Sequence, residues 1–119
     1  MPDLSPVFSQ LRALMLPYGE RLSIHQDDAT QLYINTLHIQ KNKQPLFFGA
    51  VQVKKAFVSY HVMPVYLQPE LLDRLSTPLK ARMQGKSCFN FTEVDPPLFE
   101  ELSALTRAGY ARYQAQGYV

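Results

Sequence analysis

The run from Leu46 to Met63, LFFGAVQVKKAFVSYHVM, constrains this chain more than any other segment. Folded back at Lys54 and Lys55, it sets Val53 against Ala56, Val51 against Val58, Gly49 against Tyr60 and Phe47 against Val62. Those pairs are apolar or glycine throughout. The reverse face pairs Gln52 with Phe57, Ala50 with Ser59, Phe48 with His61 and Leu46 with Met63, a mixture of rings and polar groups. Strand side chains alternate with a period of two, so a one-residue slip would turn the apolar set toward water. The chain is therefore expected to build a sheet with one dry face and one mixed face. Two lysines make a weak two-residue turn, because the favoured hairpin turns need positive φ, so a longer loop that shifts the register is compatible with the pattern. In the simple register, Gly49 makes room for the ring of Tyr60.

The flanking segments supply helices and further strands. SPVFSQLRALML opens on Ser5 as a cap with Pro6 behind it, and Val7, Phe8, Leu11, Leu14 and Met15 form one stripe, predicting a helix that Pro17 and Gly19 stop. RLSIHQ and QLYINTLHI flank the turn-forming DDAT and read as a second hairpin. QKNKQP is an exposed connection. QPELLDRLSTPLKARMQG carries Leu71, Leu72, Leu75, Leu79 and Met83 at helical spacing, with a fresh cap at Ser76 and a terminating Gly85, and reads as two short helices or one kinked helix. SCFNFT is a strand with Phe89 and Phe91 on one face and Cys88 and Asn90 on the other. Asp95 then caps a long helix entered through Pro96 and Pro97, whose inner side runs from Leu98 to Tyr113. The predicted order is α-β-β-β-β-α-β-α, an α+β fold with helices packed on a mostly antiparallel five-stranded sheet, in a single domain over 1–119.

Composition removes several classes of function. A chain of 119 residues with 46% hydrophobic and 18% charged residues has the makeup of one ordinary globular domain. Twelve basic against ten acidic residues leave a net charge of only +2, too weak a field for non-specific nucleic-acid binding, which rests on many phosphate contacts. The N-terminal MPDLSPVFSQ lacks the basic and apolar regions of a signal peptide, and the longest apolar runs are too short for a bilayer. One cysteine forms no internal disulfide, so a reducing cytoplasm is the expected compartment.

The stretch ARMQGKSCFNF, Ala81 to Phe91, concentrates the chemistry. A phosphate-binding loop needs a glycine where Lys80 stands, and a helix after the lysine where a strand is predicted, so Gly-Lys-Ser reads as a turn. Arg74, Lys80, Arg82 and Lys86 form a local basic cluster suited either to a carboxylate or phosphate or simply to solvent. Cys88 becomes a nucleophile only beside a base or a positive charge, and is otherwise a small hydrophobe. His25, His38 and His61 sit on three different predicted strands with no tight ligand spacing, so no metal is assigned to them. Asp27-Asp28 builds a turn and Glu100-Glu101 decorates a helix start. The aromatic LFFGAVQV has the look of an RNA-recognition strand, but that fold needs a βαββαβ order.

From LFFGAVQVKKAFVSYHVMPVYLQPELLDRL to LKARMQGKSCFNF the sequence resembles the YdhG-like family of small bacterial domains, most closely over Phe48 to Tyr66 and Met83 to Phe91. The resemblance implies a secretion-chaperone-like α+β fold. Some relatives are described as frataxin-like iron chaperones, which implies an acidic iron-binding surface, whereas the acids here are dispersed. The resulting expectation is a non-catalytic cytoplasmic binding module without a cofactor. It would hold a small anionic ligand or a protein partner, as monomer or homodimer, through Phe48, Ser59, His61, Arg82, Lys86, Ser87, Cys88 and Asn90. The alternatives are iron delivery and a thiol enzyme acting through Cys88.

Overall fold

In the computed structural model, which describes residues 3–119, one antiparallel sheet carries all helices on one of its faces. The elements run α1 (Ser5–Gly19), β1 (Ser23–Asp27), β2 (Gln31–Ile39), β3 (Pro45–Val53), β4 (Val58–Val62), α2 (Met63–Leu67), a 3-10 turn (Pro69–Leu72), α3 (Thr77–Lys80), β5 (Met83–Gln84), β6 (Cys88–Phe91) and α4 (Pro96–Ala115). The sheet order is β1-β2-β3-β4-β6-β5, so the expected five strands become six. The additional strand is β5, which pairs Met83 with Phe89 and Gln84 with Cys88. Leu79 and Met83 have the spacing of one helical face, but α3 ends at Lys80 and the chain straightens. Gly85 does adopt positive φ, 78°, as the turn residue of a β5–β6 hairpin rather than as a helix cap.

The central hairpin keeps the predicted faces but not the predicted partners. Val53 pairs with Val58, Val51 with Tyr60 and Gly49 with Val62, a slide of two residues. A shift of two preserves which side each residue faces. It arises because Lys54 to Phe57 form the connection, closed by Lys54 N–H donating to Phe57 O at 2.8 Å, and none of these residues needs positive φ. Gly49 thus lies opposite Val62, and the space beside it is taken by Met15 of α1. The predicted Leu46–Met63 pair does not form, since Met63 begins α2 and Pro64 follows it.

A β-bulge in β3 then rearranges the aromatics. Ile34 pairs with Gly49 while Asn35 pairs with Phe47, leaving Phe48 as the extra residue. Phe48 turns inward and is fully buried among Tyr18, Tyr110 and Tyr113. The carbonyls flanking the bulge are satisfied by side chains: Tyr113 Oη donates to Phe47 O at 2.9 Å and Thr36 Oγ1 to Leu46 O at 2.9 Å.

The core lies between the inner sheet face and the α1 and α4 helices. Leu32, Ile34, Val51, Val58, Tyr60, Val62, Phe89 and Phe91 meet Leu11, Met15, Leu102 and Leu105 there. Two caps follow the sequence, with Ser76 Oγ accepting from Leu79 N–H and Asp95 Oδ1 from Leu98 N–H. At α1 the N-cap position falls on Leu4, which offers no capping side chain; Ser5 is already helical, its N–H donates to Asp3 Oδ1, and Pro17 sits inside the last turn instead of ending it. Thr106 Oγ1 donates to Leu102 O, so the 2.6 Å bond between Tyr60 and Thr106 has Tyr60 as its donor.

The β2–β3 connection turns on Lys43, the one non-glycine residue with positive φ, 68°, among those described. Lys43 N–H donates to Gln40 O, and Gln40 N–H donates to Gln44 O. A side chain in this left-handed region is strained by about 1 kcal/mol, while glycine enters it freely. Lys43→Gly is expected to stabilise the protein by about 0.5 kcal/mol, the balance after glycine's greater unfolded-state entropy, read as a raised urea midpoint.

Candidate functional site

Alternation along β2, β3, β4 and β6 presents a second set of residues on the outer face. Across the sheet, Tyr33, Ala50, His61, Cys88 and Gln84 form one row, and Gln31, Gln52, Ser59 and Asn90 form the next. Helix contacts fall on the opposite side, where Gly19 meets Ile34, Gly49 meets Met15 and Gly109 meets Val62. Small Ala50 and Ser59 are buried on the outer face, whereas Tyr33, Phe47, Gln52, His61, Cys88 and Asn90 are half-exposed. The face is open among the described residues.

Four rings run along it. His25 lies edge-on to Tyr33 at 5.4 Å between centroids, Tyr33 stacks on Phe47 at 4.7 Å, and Phe47 meets the His61 ring edge-on at 5.1 Å. Edge-on and stacked pairs are the arrangements that aromatic rings favour. Phe47 occupies the place expected for Phe48, because the bulge exchanges the two. Phe48 is therefore no part of an exposed site, and its burial corrects that expectation.

The β4–β6 side brings together most of the remaining candidates. Ser87 Oγ and His61 Nε2 lie 2.6 Å apart, and Ser87 O accepts from Val62 N–H at 3.0 Å, which anchors the hairpin turn to β4. Burial of the imidazole lowers the His61 pKa from its ordinary 6.5, so the ring is neutral at pH 7. Cys88 is His61's cross-strand neighbour and is free, but the Nε2 of that histidine is committed to Ser87. Ser59 pairs with Asn90, whose Nδ2 donates to Gln84 Oε1 at 2.6 Å. Arg82 and Asn90, with Phe57, Gln84 and Thr92, line a shallow depression of about 370 Å³. Lys86 does not join them: its ammonium lies 5.7 Å from the centroid of the Tyr66 ring. The expected basic turn is thus split between two directions.

The three histidines are dispersed. His25 and His61 stand at the two ends of the ring row, and His38 packs on Tyr118. No group of three or more His, Cys, Asp or Glu side chains converges on a common point among the described residues. Sequence reasoning placed Gln52 on this face but left it out of the candidate residues, and it missed Tyr33, although Leu32 and Ile34 alternate with Tyr33 and Asn35 in a pattern that assigns them to opposite sides. No family model, curated protein or solved structure matches this chain. No helix among the described residues is long and apolar enough to cross a membrane.

Proposed function

We propose that this protein is a non-catalytic binding module whose working surface is the outer sheet face and whose ligand is another protein. One observation carries the reading: an open face with a row of rings, bordered by neutral Gln31, Asn35, Gln52, Ser59 and Asn90 instead of charges. Protein interface cores share this makeup, with aromatics enriched and charged side chains depleted. The depression beside Arg82 and Asn90 is shallow, which suits a protein surface better than a small molecule, since small ligands occupy clefts that enclose most of their area. On β2 the row continues into Leu37 and Ile39, which are 71% and 58% exposed beyond the end of β1's pairing. Exposed large apolar groups beside ordered rings are what a partner would bury.

The YdhG-like affinity belongs to this proposal and rests on the quoted sequence strings together with the α+β architecture. A reducing, intracellular setting is in keeping with the free Cys88.

The test is site-specific photocrosslinking in the source cell. A benzophenone amino acid at Gln52 or Gln31 is expected to trap one protein of constant mass, while the same probe at Glu100 on α4 does not. Tyr33→Ser should reduce trapping from Gln52 about tenfold, the order expected for loss of a central aromatic anchor. Equal trapping from both sides of the molecule, or none from the sheet, would end this reading.

A further inference from the structure

On the other side of the molecule, α1 and α4 leave a cleft between them that the sheet-face reading does not use. Its volume is about 510 Å³, within the roughly 300–1,000 Å³ typical of small-molecule sites. Leu14, Pro17 and Ala111 supply apolar walls, and two arginines, Arg21 and Arg107, line the same cleft. The ion pairs among the described residues are Arg12–Asp27 and Arg112–Glu70, so neither Arg21 nor Arg107 is neutralised by a carboxylate. Tyr18 and Tyr110, whose rings lie 5.2 Å apart, also line the cleft. The hydroxyls satisfied inside the protein are those of Tyr60 and Tyr113, while those of Tyr18 and Tyr110 make no hydrogen bond among the described residues.

We propose that this cleft binds a small organic anion, with a phosphate, sulfonate or carboxylate head between Arg21 and Arg107 and an apolar or aromatic body against Leu14, Pro17 and Ala111. The chemistry follows from the donors. Guanidinium groups present paired N–H bonds that match the oxygens of such heads, and those bonds are stronger than neutral ones. A phenol hydroxyl adds a further donor at the rim. With a net charge of only +2, the rest of the chain offers little competing general attraction for anions. This site lies apart from the basic turn at Arg82 and Lys86, where the side chains diverge.

Anilinonaphthalene sulfonate is a suitable probe because it combines an anionic head with an aromatic body and brightens on leaving water. Wild-type protein is expected to bind it saturably at one site, with inorganic phosphate competing at high concentration. Changing Arg21→Gln together with Arg107→Gln should weaken binding at least about tenfold, the loss of two charge-assisted contacts. Both arginines are exposed, so unchanged circular dichroism is expected for the variant. Tyr33→Ser, on the far face, should leave this affinity as it was, which separates the cleft from the proposed protein-binding surface. Absence of saturable binding, or equal affinity in the double arginine variant, would overturn the proposal.

Discussion

Replacing Gly49 by alanine should destabilise this protein by about 3 kcal/mol, near the upper end of the overpacking range, although only one methyl group is added. An ideal Cβ at this position lies 2.5 Å from Met15 Cε and 2.7 Å from the carbonyl oxygen of His61. The first neighbour is the tip of a flexible side chain, but Met15 is fully buried and has little room to withdraw. The second is backbone of the adjacent strand, and moving it pulls β4 away from β3. A loss of this size is a large fraction of the roughly 5–15 kcal/mol that stabilises a typical domain. Urea titration should show a lowered midpoint with an unchanged slope. Met15→Ala in the same chain should recover part of the loss and no more, because the carbonyl contact persists. Full recovery would place the whole effect in the methionine, and a change below about 0.5 kcal/mol would show that the strands part easily.

The same glycine shows how far this fold could be read from its sequence. Facing was legible: Val51, Val53, Val58, Tyr60, Phe89 and Phe91 are inward, and Gln52, Ser59, His61, Cys88 and Asn90 are outward, as alternation requires. Register was less so, since a slide of two residues leaves every facing intact and is decided by the Lys54–Phe57 connection. The occupant of the space beside Gly49 proved to be Met15, a residue of another element altogether. Caps at Ser76 and Asp95 were readable because a cap is a local bond over three residues. The two-residue β5 was not, because Met83 continues the apolar spacing of Leu79 and so short a strand leaves no periodicity of its own.

For the candidate site the limit was the bulge. It interrupts the period of two between Phe47 and Gly49, and nothing in LFFGAV marks which phenylalanine is the extra residue. Only the partners settle it: Tyr113 takes the Phe47 carbonyl, and Tyr18, Tyr110 and Tyr113 surround the Phe48 ring. The Ser87–His61 bond spans 26 positions, and a contact of that separation has no signature in one sequence. The α1–α4 cleft is of the same kind, since Arg21 and Arg107 come to line one cleft only once the helices pack.

Alkaline titration should unfold this protein through two tyrosines. Burial raises the pKa of both Tyr60 and Tyr113 well above the ordinary 10.0. Each hydroxyl is also a donor, Tyr60 to Thr106 Oγ1 and Tyr113 to Phe47 O, and ionisation removes both donated protons. An unfolded tyrosine releases its proton near pH 10, while the folded one holds it. The stability these groups provide is therefore complete below pH 10 and is lost as pH rises beyond it, by about 1.4 kcal/mol per pH unit for each tyrosine. With both acting, the decline approaches about 2.7 kcal/mol per unit, enough to erase a modest domain's stability within two or three units. Tyr60→Phe supplies the control. It should lower stability at pH 7 by about 1 kcal/mol, the net value of one hydrogen bond, because Thr106 keeps Leu102 O as its acceptor. Above pH 10 the same variant should lose stability at half the wild-type slope, so that its curve converges on the wild type and then crosses it. Parallel curves throughout that range would show that Tyr60 does not govern the alkaline transition.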